Sequence, residues 1–225
     1  MEIQFIAQSG FIITLDNGEV LTIDLWSENP VYPVKVKNVP KTNYIFITHD
    51  HSDHDLPTGL ELAKRDKSFF LSNYEIARKA SSEGLSNAVS ANIGSLFEVG
   101  GIKVALVHAE HSSDTGLPVG FIIKTEKFTI YHMGDTGYFT GLDVLSEIYD
   151  IDILMVPIGG TYTMGPVEAS YAVRDINPTW VIPIHYNTFP KISQDPEDFK
   201  SRVKNVAPAT EVIIMEPGQV WNVPA

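Results

Sequence analysis

The sequence predicts an α/β (α+β) fold, and three observations carry that expectation. Short β-rich runs and helical stretches are mixed along the whole chain rather than segregated. Runs such as "YIFIT" and "DILMVPI" are continuously apolar, as strands buried inside a sheet are. At 225 residues, 44% hydrophobic and 20% charged, the chain also has enough apolar side chains for a sizeable core. No long linker or low-complexity tract interrupts residues 1–225, which read as a single domain.

The elements follow in order. "EIQFIA", "FIITL" and "VLTIDL" are strands, the last two joined by "DNG", whose Asn17-Gly18 tolerates the positive φ of a hairpin turn. After a loop holding Pro30, Pro33 and Pro40 comes "YIFIT", a strand ending at Thr48. "LPTGLELAKRDK" has helical apolar spacing with Asp55 placed to cap it. "SFFLS" is a strand, Tyr74 to Glu83 a helix, and "SLFEV" and "IKVALVH" are strands. "GFIIKT" and "FTIYHM" pair as a hairpin across "EK". "DILMVPI" and "WVIPI" are strands flanking the helix "VEASYAVRDI", which has Pro166 near its N-terminus. "PEDFKSRVKNV" is a helix behind Asp195, and "EVIIM" and "VWNV" are the last strands. "GFIITLDNGEVLTIDL" echoes "GFIIKTEKFTIYHMGD", each a hairpin running to an aspartate, Asp24 or Asp135. Coincidence and a fold of two similar halves both account for it.

Composition excludes several functions. A net charge of −12, from 16 basic and 28 acidic residues, leaves no cationic excess to displace the counterions of a nucleic acid or to bind anionic lipid. No apolar run reaches the roughly 18 residues of a membrane span, and the start lacks a basic n-region; a cytoplasmic protein is expected. With no cysteine, any metal must be held by nitrogen and oxygen.

"THDHSDHD", residues 48 to 55, concentrates three of the seven histidines where a buried strand runs out. Imidazole and carboxylate suit zinc, manganese and iron. His49 and His51, two apart in an extended segment, project to one side and can grip one ion. Asp53 and His54, one bend later, can reach a second. His111, Asp135 and His185 each lie just after a predicted strand, where ligands from separate strands can meet on one sheet edge. His108 ends the same strand as His111 and is the rival third ligand. His132, three before Asp135, is expected either to orient that carboxylate or to hold the surrounding structure. Thr136 is placed to hydrogen-bond backbone nearby, and Asp50 and Ser52 are expected to face solvent or a pocket rather than metal.

"HDHSDH", His111, "GDTG" and His185 in this order resemble the ligand motifs of the metallo-β-lactamase superfamily. "IYHMGDTG", "PIGGTYTMGP" and "IPIHYNTFP" are similar to its metal-dependent hydrolases related to the ascorbate-6-phosphate lactonases. The resemblance spans essentially the whole chain and implies a four-layer αββα sandwich. It also implies two divalent ions per chain, zinc with manganese and iron as alternatives. His49, His51 and His111 would bind the first, Asp53, His54 and His185 the second, and Asp135 would bridge. A hydroxide shared by the ions would cleave a small ester, lactone or phosphodiester, with Asp53 handling the proton. The "SSD" after His111 resembles the family's "HSS" and favours His111 over His108. Many members have Gly-His-Ser where this chain has Ala7-Gln8-Ser9.

A small, anion-bearing substrate is expected against Gly160, Thr163, Met164 and Gly165, which follow Gly159 and lead into the helix at Pro166, and against Asn187 and Thr188. A homo-oligomer is compatible with the aromatic content. Two rival functions stand beside the hydrolase. A flavodiiron-like iron redox protein would place Glu at position 51 and carry a flavin module for which the chain has no room. A non-catalytic metal-binding protein would use a closed four-ligand site.

Overall fold

A computed structural model describes residues 1–224. In chain order the elements are β1 (Glu2–Ala7), β2 (Gly10–Thr14), β3 (Val20–Ile23), β4 (Tyr44–Phe46), α1 (Leu56–Asp66), β5 (Phe69–Ser72), α2 (Tyr74–Ser82), β6 (Ala88–Ser90), β7 (Phe97–Val99) and β8 (Ile102–His108). There follow β9 (Val119–Lys124), β10 (Thr129–His132), α3 (Leu142–Tyr149), β11 (Ile153–Pro157), α4 (Pro166–Ile176), β12 (Trp180–Ile184), α5 (Pro196–Val206), β13 (Glu211–Val212) and β14 (Val220–Asn222). The α/β class expected from the sequence is what these elements form. Two of them were not anticipated. β6 is a three-residue edge strand, and α3 fully buries only Leu142 and starts at Gly141 without a side-chain cap, so no capping residue announces it.

The described chain divides into two compact units, 1–93 with 112–117 and 215–224, and 94–111 with 118–214. In the first, the sheet order is β14-β1-β2-β3-β4-β5-β6, antiparallel up to β3 and parallel from β3 onward. In the second it is β7-β8-β9-β10-β11-β12-β13, antiparallel up to β10 and parallel beyond. The hairpins β2–β3 and β9–β10 occupy the same place in each plan, and Asp24 and Asp135 follow β3 and β10. The sequence echo therefore corresponds to a repeated strand plan. In both units helices cross between parallel strands, so the chain turns at strand C-termini repeatedly, and those turns carry the polar residues of interest.

Local chemistry explains the helix starts. Asp55 accepts the Thr58 amide at the head of α1 and Asn73 the Ile76 amide at α2, while Asp195 accepts that of Glu197 at α5, with proline in the first turn of α1, α4 and α5. In the first unit Leu62, Ala63, Ile76 and Ala80 of the helices pack on Ile45, Ile47 and Phe70. Gly59 lets α1 approach closely, since a Cβ there would sit 2.9 Å from Ile47 Cδ1. In the second unit Ala169, Val173, Phe199 and Val203 pack on Leu154, Val156 and Val181. Each large side chain so buried contributes about 1.5–3 kcal/mol.

The last residue of α1 ties down the proline-bearing loop ahead of β4. Asp66 accepts the Thr42 amide at 2.8 Å and pairs with Arg65, which also donates to the carbonyls of Val36 and Pro40. The Arg65 guanidinium, with help from Thr42 and against burial, holds the Asp66 carboxyl below the usual carboxylate range. A carboxyl lowered by folding stabilises above its unfolded value and loses that contribution as pH falls through the folded one. Asp66→Asn should therefore lower the melting temperature at pH 7, and the gap to wild type should close as the pH drops below about 4. Melting curves of both proteins between pH 7 and 3 check this; a gap independent of pH contradicts it.

Candidate metal centre

In the first unit, β4 ends and the chain enters "THDHSDHD", where Ser52–His54 form one 3₁₀ turn. The anchor is Asp24, fully buried just beyond β3. Its Oδ1 accepts the Thr48 amide at 2.9 Å and its Oδ2 the Thr48 hydroxyl at 2.7 Å and His54 Nδ1 at 2.7 Å. A carboxylate only accepts, so Nδ1 of His54 carries a proton, and in the neutral ring this leaves Nε2 as a lone pair. Thr48 gives its hydroxyl proton to Asp24, and its oxygen then accepts from His49 Nδ1 at 3.0 Å, which leaves Nε2 of that ring as a lone pair too. His49 Nε2 converges on His51 Nδ1 at 2.9 Å, and Asp53 and His54 offer ligand atoms within 4.8 Å of one another. Gln8, buried and held at φ 58° in the left-handed region, donates its side-chain amide to Asp53 Oδ2 at 2.8 Å.

In the second unit, Asp135 follows β10, His185 follows β12 and His111 lies three residues beyond β8. Asp135 Oδ2 lies 3.0 Å from His185 Nε2 and 3.6 Å from His111 Nε2, so one carboxylate oxygen faces two imidazoles. The turn that presents it is locked by its neighbours. His132 Nδ1 accepts the Gly134 amide, Thr136 accepts the Glu110 amide at 2.9 Å and donates to Gly137 O, and Gly137 donates to Glu110 O. Glu110 precedes His111, so the same bonds hold the histidine segment to the aspartate turn. His132 is thus a backbone lock, and Thr136 fills the backbone-bonding role expected of it. His108 is exposed, paired with Glu110 at 3.2 Å and set edge-on to Phe139; His111 is the histidine that faces Asp135.

His185 adopts φ 55°, a left-handed conformation that costs a non-glycine residue energy. The cost is accommodated by Gly159 at the end of β11, where a Cβ would lie 2.1 Å from His185 O and 3.2 Å from its Nδ1. The other loop residues named from sequence gather around this point. Gly160 donates to Met164 O, and buried Met164 donates to Thr136 O. Thr163 bonds Met164 O. The Gly165 amide at the head of α4 is met by the Glu168 carboxylate at 3.2 Å, with which an anionic group would have to compete. Asn187 is bonded to Ile192 and Gln194, and Thr188, largely buried, to Tyr186 O.

Sequence reasoning passed over Asp24 and Gln8 as functional residues, and took Gly159 only as part of the substrate-facing loop that leads into α4. The signal for Asp24 was its match to Asp135 in the echo, and for Gln8 its position in place of the Gly-His-Ser histidine. The packing of Gly159 against His185 carried none, because a close approach between two strand ends is invisible in one dimension.

Lone-pair imidazoles and carboxylates at strand C-termini, with no thiolate in the chain, fit a divalent ion such as zinc, manganese or iron. Fold and donor set define a metal-dependent α/β protein. Residues 2–185 match the model of the beta-lactamase superfamily domain. A UPF0173 metal-dependent hydrolase of Caldivirga maquilingensis is 43% identical over 209 residues, 92% of each chain. The solved structure of Igni18, described as a metallo hydrolase of Ignicoccus hospitalis, superposes with a TM-score of 0.90 at 35% identity over 99% of both chains. The fold is shared more widely: the diiron β-hydroxylase CmlA of Streptomyces venezuelae has a TM-score of 0.70 at 12% identity, covering 99% of this chain and 54% of that one. The chain belongs to the metallo-β-lactamase superfamily and, within it, to the UPF0173 metal-dependent hydrolases.

Two outcomes follow from the anchors. Asp24→Ala leaves Thr48 and His54 Nδ1 without their acceptor and should weaken zinc binding about 10–100-fold, read by competition with a chromophoric chelator; unchanged affinity contradicts the anchor role. Gly159→Ala forces a backbone collision and should destabilise the metal-free protein by about 3 kcal/mol or more in urea denaturation. A wild-type midpoint would show that His185 does not depend on that glycine.

Proposed function

We propose that the protein is a dinuclear metal-dependent hydrolase of a small ester, lactone or phosphodiester, residues 1–225 acting as one catalytic domain. His49, His51 and His111 hold one ion, Asp53, His54 and His185 the other, and Asp135 serves both. The observation that carries this reading is that a single oxygen of Asp135 faces the imidazoles of His111 and His185, one from each proposed set. A bridging ligand needs that disposition. Membership of a metal-dependent hydrolase family and the N/O donor chemistry support it further.

Divalent ions, when bound, supply the Lewis acidity that polarises a carbonyl or phosphoryl oxygen and makes a water acidic near neutral pH. The chain supplies the rest. Thr48 and Asp24 fix the tautomers of His49 and His54, and Gln8 fixes the rotation of Asp53, the carboxylate we assign to carrying the proton. The loop 160–165 and Asn187 and Thr188 line the substrate path. Zinc is the ion favoured by an imidazole-rich set, with manganese and iron accepted by the same donors.

Elemental analysis of native protein should find about two divalent ions per chain. His49→Ala and Asp135→Ala should each lower that content and depress hydrolysis of bis(p-nitrophenyl) phosphate or a simple lactone by more than about 100-fold, since losing outer partners alone costs about 10–100-fold. Protein that takes up no metal on reconstitution, or that consumes oxygen with iron and hydrolyses nothing, overturns the reading.

A further inference from the structure

The segment 112–117 directly follows His111, yet its contacts place it in the first unit, whereas the chain before and after it belongs to the second. Two side chains hold it there. Asp50, between His49 and His51, accepts three hydrogen bonds on a single oxygen, Oδ1: from Ser113 Oγ at 2.8 Å, from the Asp114 amide at 2.9 Å and from the Thr115 amide at 3.1 Å. Asn73, the cap of α2, donates to the carbonyls of Thr115 and Leu117 at 2.8 and 2.9 Å. Gly116 makes the turn between them at φ 71°, where a Cβ would lie 2.4 Å from Glu75 Oε2.

The two anchors divide the work. Asn73 holds the far end of the segment, and Asp50 the near end, beginning two residues after His111. Two residues of chain span at most about 7 Å, so a fixed Ser113 leaves His111 a short tether. Asp50 therefore ties the turn bearing His49 and His51 to the segment 112–117, which begins one residue after His111. We infer that Asp50 is a positioning residue: its carboxylate holds the loop after His111 so that His49, His51 and His111 are delivered together to one ion. The inference rests on the ligand assignment proposed above, and it has a consequence that general structural support lacks. Loss of Asp50 should weaken one of the two ions and spare the one held by Asp53, His54 and His185.

The test uses the full chain and zinc alone. Asp50→Ala should raise the exchange rates of the Asp114 and Thr115 amides in metal-free protein. In competition titrations it should weaken one zinc about 10–100-fold and leave the other at wild-type affinity. Asp50→Asn, which keeps an oxygen at the same place, should restore most of both properties, and it carries the test if the alanine variant does not fold. Two sites of wild-type affinity in Asp50→Ala, or equal weakening of both, overturns the inference. So does unchanged exchange at Asp114 and Thr115. Wild-type protein that binds fewer than two zinc ions defeats the dinuclear reading instead, while the exchange measurement still decides whether Asp50 holds the loop.

Discussion

Asp24 is removed from water at the end of β3, and a buried carboxylate is tolerated only where donors replace its hydration. Thr48 supplies two of them and His54 a third. Those three bonds join the end of β3 to the end of β4 and to the 3₁₀ turn beyond. They set the tautomers of His49 and His54, and with them the direction in which two lone pairs point. The ligand turn is thus built outward from one carboxylate. Asp55 then closes the turn from its other side, accepting the Thr58 amide as well as both donors of Ser27.

The second unit repeats the strand plan with a different use of the equivalent aspartate. Asp24 spends both oxygens on orienting its neighbours, whereas Asp135 turns Oδ2 to two imidazoles while Thr136 and His132 take over the task of holding the turn. One position in a repeated topology carries an outer anchor in one copy and a candidate ligand in the other. Asp24, Gln8 and His185 all adopt positive φ, and each is bonded to or faces a candidate ligand or is one; other non-glycine residues in the left-handed region, such as Lys67, Asp150 and Asn177, serve as helix C-caps.

Much of the fold was legible because its signals are local. Continuous apolar runs marked β4 and β11, Asn17-Gly18 marked the first hairpin, and Asp55 and Asp195 marked helix starts that the structure caps as expected. α3 was missed because no capping side chain or proline announces its start, although Leu142, Leu145 and Tyr149 recur at helical spacing, and β6 because a three-residue edge strand has almost no periodic signature. Asp50 read as a spacer facing solvent or a pocket. It does line a cavity of about 120 Å³ with Leu56, Leu60 and Ile76, but its bonds run to a loop sixty residues away in sequence.

The sequence by itself determined the donor chemistry, the order of the seven candidate ligands and the strand ends that carry them. These depend on residue type and on periods of two to four residues, which one dimension records. Tertiary structure decided which nitrogen of His49 and of His54 bears the proton, that His111 rather than His108 faces Asp135, and that Gly159 makes room for His185. Hydrogen bonds and steric contacts of a few ångströms set those outcomes between residues dozens of positions apart, so they exist only once the chain has folded.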